Sequence, residues 1–110
     1  MSSVFITQEV EGRNFFPARR YGTLVPLLPS NAQVVFSSEP ATRKIKRALS
    51  KFSDKDFLLL SGDPIIMGLS MMVASEMNRG YIKLLKWDKH EKDYYEVVVD
   101  FFNKKGESNG

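Results

Sequence analysis

The side chains with the widest chemical range are scarce in this sequence. There is one histidine, His90, and no cysteine among 110 residues, so thiol catalysis, disulfides and cysteine metal sites are excluded together. His90 lies in the charged run Asp88-Lys89-His90-Glu91-Lys92-Asp93, where a solvated imidazole is expected; a serine–histidine triad would need it buried beside a serine. The carboxylate pairs Asp54/Asp56 and Glu91/Asp93 are interleaved with lysines, the pattern of solvated charge rather than of acid–base partners. No H-E-x-x-H, G-x-G-x-x-G or G-x-x-x-x-G-K-[ST] spacing occurs, which removes the common zinc and nucleotide fingerprints. The sequence therefore points to no catalytic residue, no metal and no cofactor.

Three places could bind rather than react. In Ser61-Gly62-Asp63-Pro64 a strand would turn into a helix, and free amides at a helix start can hold a phosphate. Asp63 would occupy those amides itself and Pro64 lacks a donor, so a structural cap competes with a small nucleotide- or phosphate-binding enzyme at this turn. Ser37-Ser38-Glu39-Pro40 is the equivalent turn before an earlier helix, with two hydroxyls to offer an anion.

The second place is that earlier helix, expected over 40–52. Ile45, Ala48, Leu49 and Phe52 recur at helical spacing and form one apolar stripe, and Arg43, Lys44, Lys46, Arg47 and Lys51 cover the rest of the surface. Such a face could neutralise phosphates; it could equally be an ordinary solvated face. Were the segment holding Arg19 and Arg20 with Phe15, Phe16 and Tyr21 on the same side, cations and stacking rings would combine as in single-strand binders. The rings could instead plug the core.

The third is the helix starting at Pro64, where apolar residues point in almost every direction. A helix apolar all round must be covered all round, and a sheet can hide one side only. Ile66, Met67, Met71, Met72 and Met77 are thus candidate contacts for a protein partner or a second copy of the chain, methionine being adaptable at such surfaces; burial beneath the segment before residue 22 is the alternative.

Positioning these residues calls for an α/β fold. Val4 to Thr7 reads as an opening strand. Gly12, Pro17 and Gly22 punctuate a long loop, and Pro26 and Pro29 limit residues 23–28 to an edge strand. Val34-Val35-Phe36 is a short apolar run expected to be a buried strand feeding the basic helix. Asp56 to Ser61, continuously apolar at its centre, should be a central strand covered on both faces. Asp63 should cap the second helix and Gly80 end it. Tyr81 to Trp87 and Tyr94 to Phe102 should form a hairpin, with Tyr95, Val97, Val99 and Phe101 on one face of the second arm. The expected whole is a mixed sheet of about five or six strands with a central β-α-β-α-β unit, two helices and a C-terminal hairpin, in one domain over 1–102 with a polar flexible tail over 103–110.

Hydrophobic residues make up 43% and charged residues 26%, the balance of a globular chain, with a net charge of +3. The basic excess is local: residues 34–52 hold five Lys or Arg against one Glu. No basic leader precedes an apolar stretch, and Gly68, Ser70, Ser75 and Glu76 interrupt the run from Ile65 to Met77, so neither a signal peptide nor a membrane span is expected.

Leu28-Pro29, Phe52-Ser53-Asp54, Leu58-Leu59-Leu60-Ser61-Gly62-Asp63-Pro64, Asn78-Arg79-Gly80 and Lys83-Leu84-Leu85-Lys86-Trp87-Asp88 together resemble a group of small uncharacterised proteins encoded by tailed phages of marine bacteria, cyanophages included. The resemblance implies a viral protein at work in the cytoplasm of a bacterial host cell, and no catalytic residue carries over from it. The leading expectation is a non-enzymatic accessory protein binding a host protein or itself as a homodimer through the second helix. Nucleic-acid binding through the basic helix is the rival.

Overall fold

Val4, Phe5 and Ile6 open the chain as a strand because β-branched and aromatic side chains fit a pleated surface; Val4 and Ile6 are buried on one face and Phe5 packs on the other. The structure is a computed structural model and describes residues 1–103. Its elements in order are strand β1 (Ser3–Gln8), a 3-10 helix (Phe16–Tyr21), β2 (Thr23–Leu28), α1 (Glu39–Ala48), β3 (Phe57–Leu59), α2 (Pro64–Met77), β4 (Tyr81–Asp88) and β5 (Asp93–Asp100). The tail expected over 103–110 lies, from residue 104 on, outside the described residues.

The five strands form one mixed sheet in the order β2-β1-β3-β4-β5. The first four are mutually parallel and β5 closes an antiparallel hairpin on β4, so the α/β class and the β-α-β-α-β core are as the sequence implies. Both helices cover one face, around Leu28, Ile45, Leu49, Phe52, Leu58, Ile66, Val73, Ala74 and Ile82. On the other, Val4, Ile6, Phe57, Leu59, Leu85 and Tyr94 pack with Ala18 of the 3-10 helix and with Phe15 and Tyr21 beside it. Handedness explains the division. The β1–β2 connection steps along the sheet in the opposite direction to the two helical connections, so a right-handed crossover places it on the opposite face.

The strand that feeds α1 is β2, not residues 34–36. Val35 makes one isolated bridge, to Ser37, and Phe36 sits in the left-handed region at φ 63 with its ring in solvent. Thr23–Leu28 takes the place beside β1 because that place is an edge, where the donor Pro26 lacks is not needed. The basic helix also stops earlier than expected, at Ala48, with the Leu49 N–H bonded to the Ile45 carbonyl at 2.9 Å. Phe52 lies beyond the helix yet is buried with Ile45 and Leu49, so these three hold the stripe although the last turn is not helical; Ala48, expected on the same stripe, is exposed. α2 begins and ends as read: Asp63 accepts from the Ile65 N–H at 2.7 Å, and Gly80, at φ 80, turns the chain into β4.

Candidate protein-docking surface

Parallel sheets hold ligands outside the carboxyl ends of their strands, where the connections diverge to opposite faces. Here that point lies between β1 and β3, and the protein's own side chains fill it. The Thr7 hydroxyl donates to the Ser61 carbonyl (2.6 Å) and accepts from the Ser61 N–H (2.8 Å). The Ser61 hydroxyl donates to the Gln8 carbonyl. The buried Gln8 side chain donates through Nε2 to the carbonyls of Pro29 and Ala32, both 3.1 Å, and accepts at Oε1 from the Asp63 N–H (2.7 Å). The Ser61 groups and the Asp63 N–H are therefore committed inward, and the crevice beside them carries Glu9 and Glu11 on its rim, the wrong sign for a phosphate.

The carboxylates separate into two kinds. Asp56 is not solvated charge: it is buried and accepts from the N–H groups of Ser3 and Ser53, both at 3.0 Å, tying the start of β1 to the loop before β3. Asp54 is exposed and accepts from Asn78 Nδ2. Asp93 pairs with Arg20 (3.0 Å), and the Tyr94 N–H at 2.8 Å is the main cause holding its carboxyl below the usual range, against an opposing effect of desolvation and with Arg20 adding to the lowering. His90 is exposed in the turn between β4 and β5.

The basic residues are not brought together. Arg43, Lys44, Lys46, Arg47 and Lys51 are all exposed on or just past α1, with Arg43 bonded to Glu39 at 2.9 Å. Arg19 and Arg20 are on the far side of the sheet, Arg19 over the Phe16 ring and Arg20 over that of Tyr21. Phe15 and Tyr21 pack into the core of that face while Phe16 is exposed.

Of the α2 residues singled out, Ile66 is fully buried against the sheet and cannot reach a partner. Met67, Met71 and Met77 are half-buried; Met72 is 70% exposed. Beside Met71 and Met72 runs an apolar groove of about 560 Å³, floored by Ile82 and Val99 and walled by Phe101 and Phe102. Phe101 is 74% exposed and Phe102 56%, although their rings stack edge-on, with centroids 5.1 Å apart. Sequence reasoning placed the surface on α2 alone and missed these phenylalanines. The signal was the alternation Tyr95, Val97, Val99, Phe101: four apolar side chains on a strand whose helix-side face no helix fully covers.

β5 is also an edge of the sheet. The Phe101 N–H donates to the Gly80 carbonyl at 2.9 Å, continuing the register in which Ile82 faces Val99 and Leu84 faces Val97. Bonded positions alternate along an antiparallel pair, so the backbones of Tyr95, Val97 and Val99 bond to β4 and those of Tyr94, Glu96 and Val98 point away from the sheet. The Tyr94 groups are satisfied from within: its N–H by Asp93, its carbonyl by Arg20 Nη2 and the Tyr21 hydroxyl, both at 2.9 Å.

Together these features define a small α/β protein with a sealed strand-end crevice, a basic helix on one side and an apolar groove opening beside a sheet edge. The chain belongs to the phage Pam3 gp32-like protein family, whose model matches residues 2–101. It is thus a phage protein. No curated protein and no solved structure matches it. Among the described residues no helix is long and apolar enough to cross a membrane.

Proposed function

We propose that this phage protein works as a non-enzymatic accessory protein that binds protein, and that the occupant of its apolar groove is a second copy of the same chain. The observation that carries the reading is the adjacency of Met72, Phe101 and Phe102 around the groove. Aromatic and methionine side chains clustered in solvent are unusual on a chain that stays alone and are enriched where proteins meet. The groove opens beside the exposed β5 edge, a surface that every copy carries and that two copies can present to each other about a two-fold axis. The place of action on this reading is a bacterial host's cytoplasm, and the resemblance to proteins of phages of marine bacteria, cyanophages included, supports that class of host.

Sedimentation of the purified chain after nuclease treatment tests this. The wild type is expected to be a dimer at micromolar concentration, and Met72→Glu or Phe101→Glu a monomer with an unchanged circular dichroism spectrum. A wild type that sediments as a monomer at every attainable concentration ends the reading. A species that falls to monomer only on nuclease treatment would transfer function to the basic face of α1.

A further inference from the structure

Resting on that self-association, we infer that the two copies join edge to edge through β5, in antiparallel register with Val97 on the two-fold axis, so that two five-stranded sheets become one. Three observations converge. First, β5 is eight residues long and terminates the sheet, and the outward backbone groups of Glu96 and Val98 face no strand of this chain. Such an edge is a template for pairing with another chain. The opposite edge, β2, is protected by Pro26.

Second, the side chains narrow the register. Only residues with outward backbones can exchange bonds across the new junction, which restricts the pairing to registers that oppose Tyr94, Glu96, Val98 and Asp100 among themselves. Centring the axis on Glu96 would set Glu96 against its own copy, and centring it on Val98 would set Glu96 against the partner's Asp100. Like charges directly opposite destabilise a sheet. With Val97 on the axis, Glu96 faces the partner's Val98, Tyr95 faces the partner's Val99, and no two acids meet. Both Glu96–Val98 pairs then exchange their bonds.

Third, this register completes the groove. Tyr95, Val97, Val99 and Phe101 share the helix-side face, so the partner's Tyr95 comes to rest beside Val99 and Phe101 at the groove's edge. Its ring covers apolar surface that β5 leaves open in the single chain. Tyr94 limits the ladder, because its N–H and carbonyl are already taken by Asp93, Arg20 and Tyr21.

The chain has no cysteine, so one introduced thiol reports on one site. Val97 would meet its own copy at a non-hydrogen-bonded position, where Cα atoms lie about 4.5 Å apart, within disulfide range. Val97→Cys in the full chain, mildly oxidised, is expected to run as a covalent dimer on a non-reducing gel, and Glu96→Cys, whose opposite residue is Val98, to cross-link far less. Val98→Pro, which removes an outward donor and spares the bonds to β4, is expected to sediment as a monomer. Should that proline prevent folding, the Val97→Cys pair still decides. A dimer by sedimentation with no Val97→Cys cross-link overturns the edge pairing and leaves the groove reading standing; a monomer with no cross-link overturns both.

Discussion

Gln8 shows how one side chain can settle a question of function. Its amide ties the carbonyls after β2 to the N–H that opens α2, and the space it fills is the one a ligand would use in an open parallel sheet. Gln8→Ala should cost about 2 kcal/mol: the Asp63 N–H is left inside without a partner, while water reaches most of the carbonyls it frees. Urea denaturation measures this, and a loss below about 0.5 kcal/mol would mean that solvent replaces the amide at every contact. Asp93 gives a prediction in pH. Its folded carboxyl lies below the ordinary value, chiefly through the Tyr94 N–H, so its contribution is present above about pH 4, the unfolded value, and is lost as pH falls through the folded one. Asp93→Asn, which keeps the acceptor and removes the charge, should melt lower than wild type by a constant margin from neutrality to pH 5, and the margin should shrink below pH 4. Neither role was legible in advance. Gln8 ends a strand in a polar stretch like any other, and Asp56 follows Lys55 as a solvated acid would; their burial depends on which loops arrive around them.

At the scale of elements, local chemistry was legible where it is self-contained. Asp63 followed by Pro64 announces a helix start, and the cap is there; Asp63→Ala should lower stability by about 1 kcal/mol in a thermal or urea melt, the usual effect of a lost N-cap. The bond from Gln8 to the residue 63 backbone survives that change. Ile45, Leu49 and Phe52 were read correctly as a buried stripe although the helix stops short of the third, because what holds Phe52 is the core and not the hydrogen-bond ladder. Val34-Val35-Phe36 misled for the opposite reason. An apolar triplet carries no information about whether a neighbouring strand is free to pair, and the place beside β1 had gone to Thr23–Leu28, whose prolines made it look the poorer candidate.

For the whole molecule, the class of fold was readable from the alternation of strand and helix patterns, but the strand order was not, and the order decides which residues are neighbours. It sends the 3-10 helix with Arg19 and Arg20 to one face and α1 to the other, which divides the combined basic and aromatic surface the sequence allowed. It also sets β5 at the end of the row, beyond the full cover of α2, so that Val99 and Phe101 border a groove. The two helices were legible one at a time; what they fail to cover was visible only once the sheet was assembled.

The unequal treatment of the two margins of the sheet has a consequence for how far assembly can go. One margin carries Pro26, and the other is occupied at Tyr94 by Arg20 and Tyr21 and open only beyond it. Indefinite stacking needs a sticky side at each end, one to receive and one to offer. On the proposed edge pairing, a molecule with a single adhesive side runs out of places to add after the first meeting, so assembly would end at two copies and not run on into fibres.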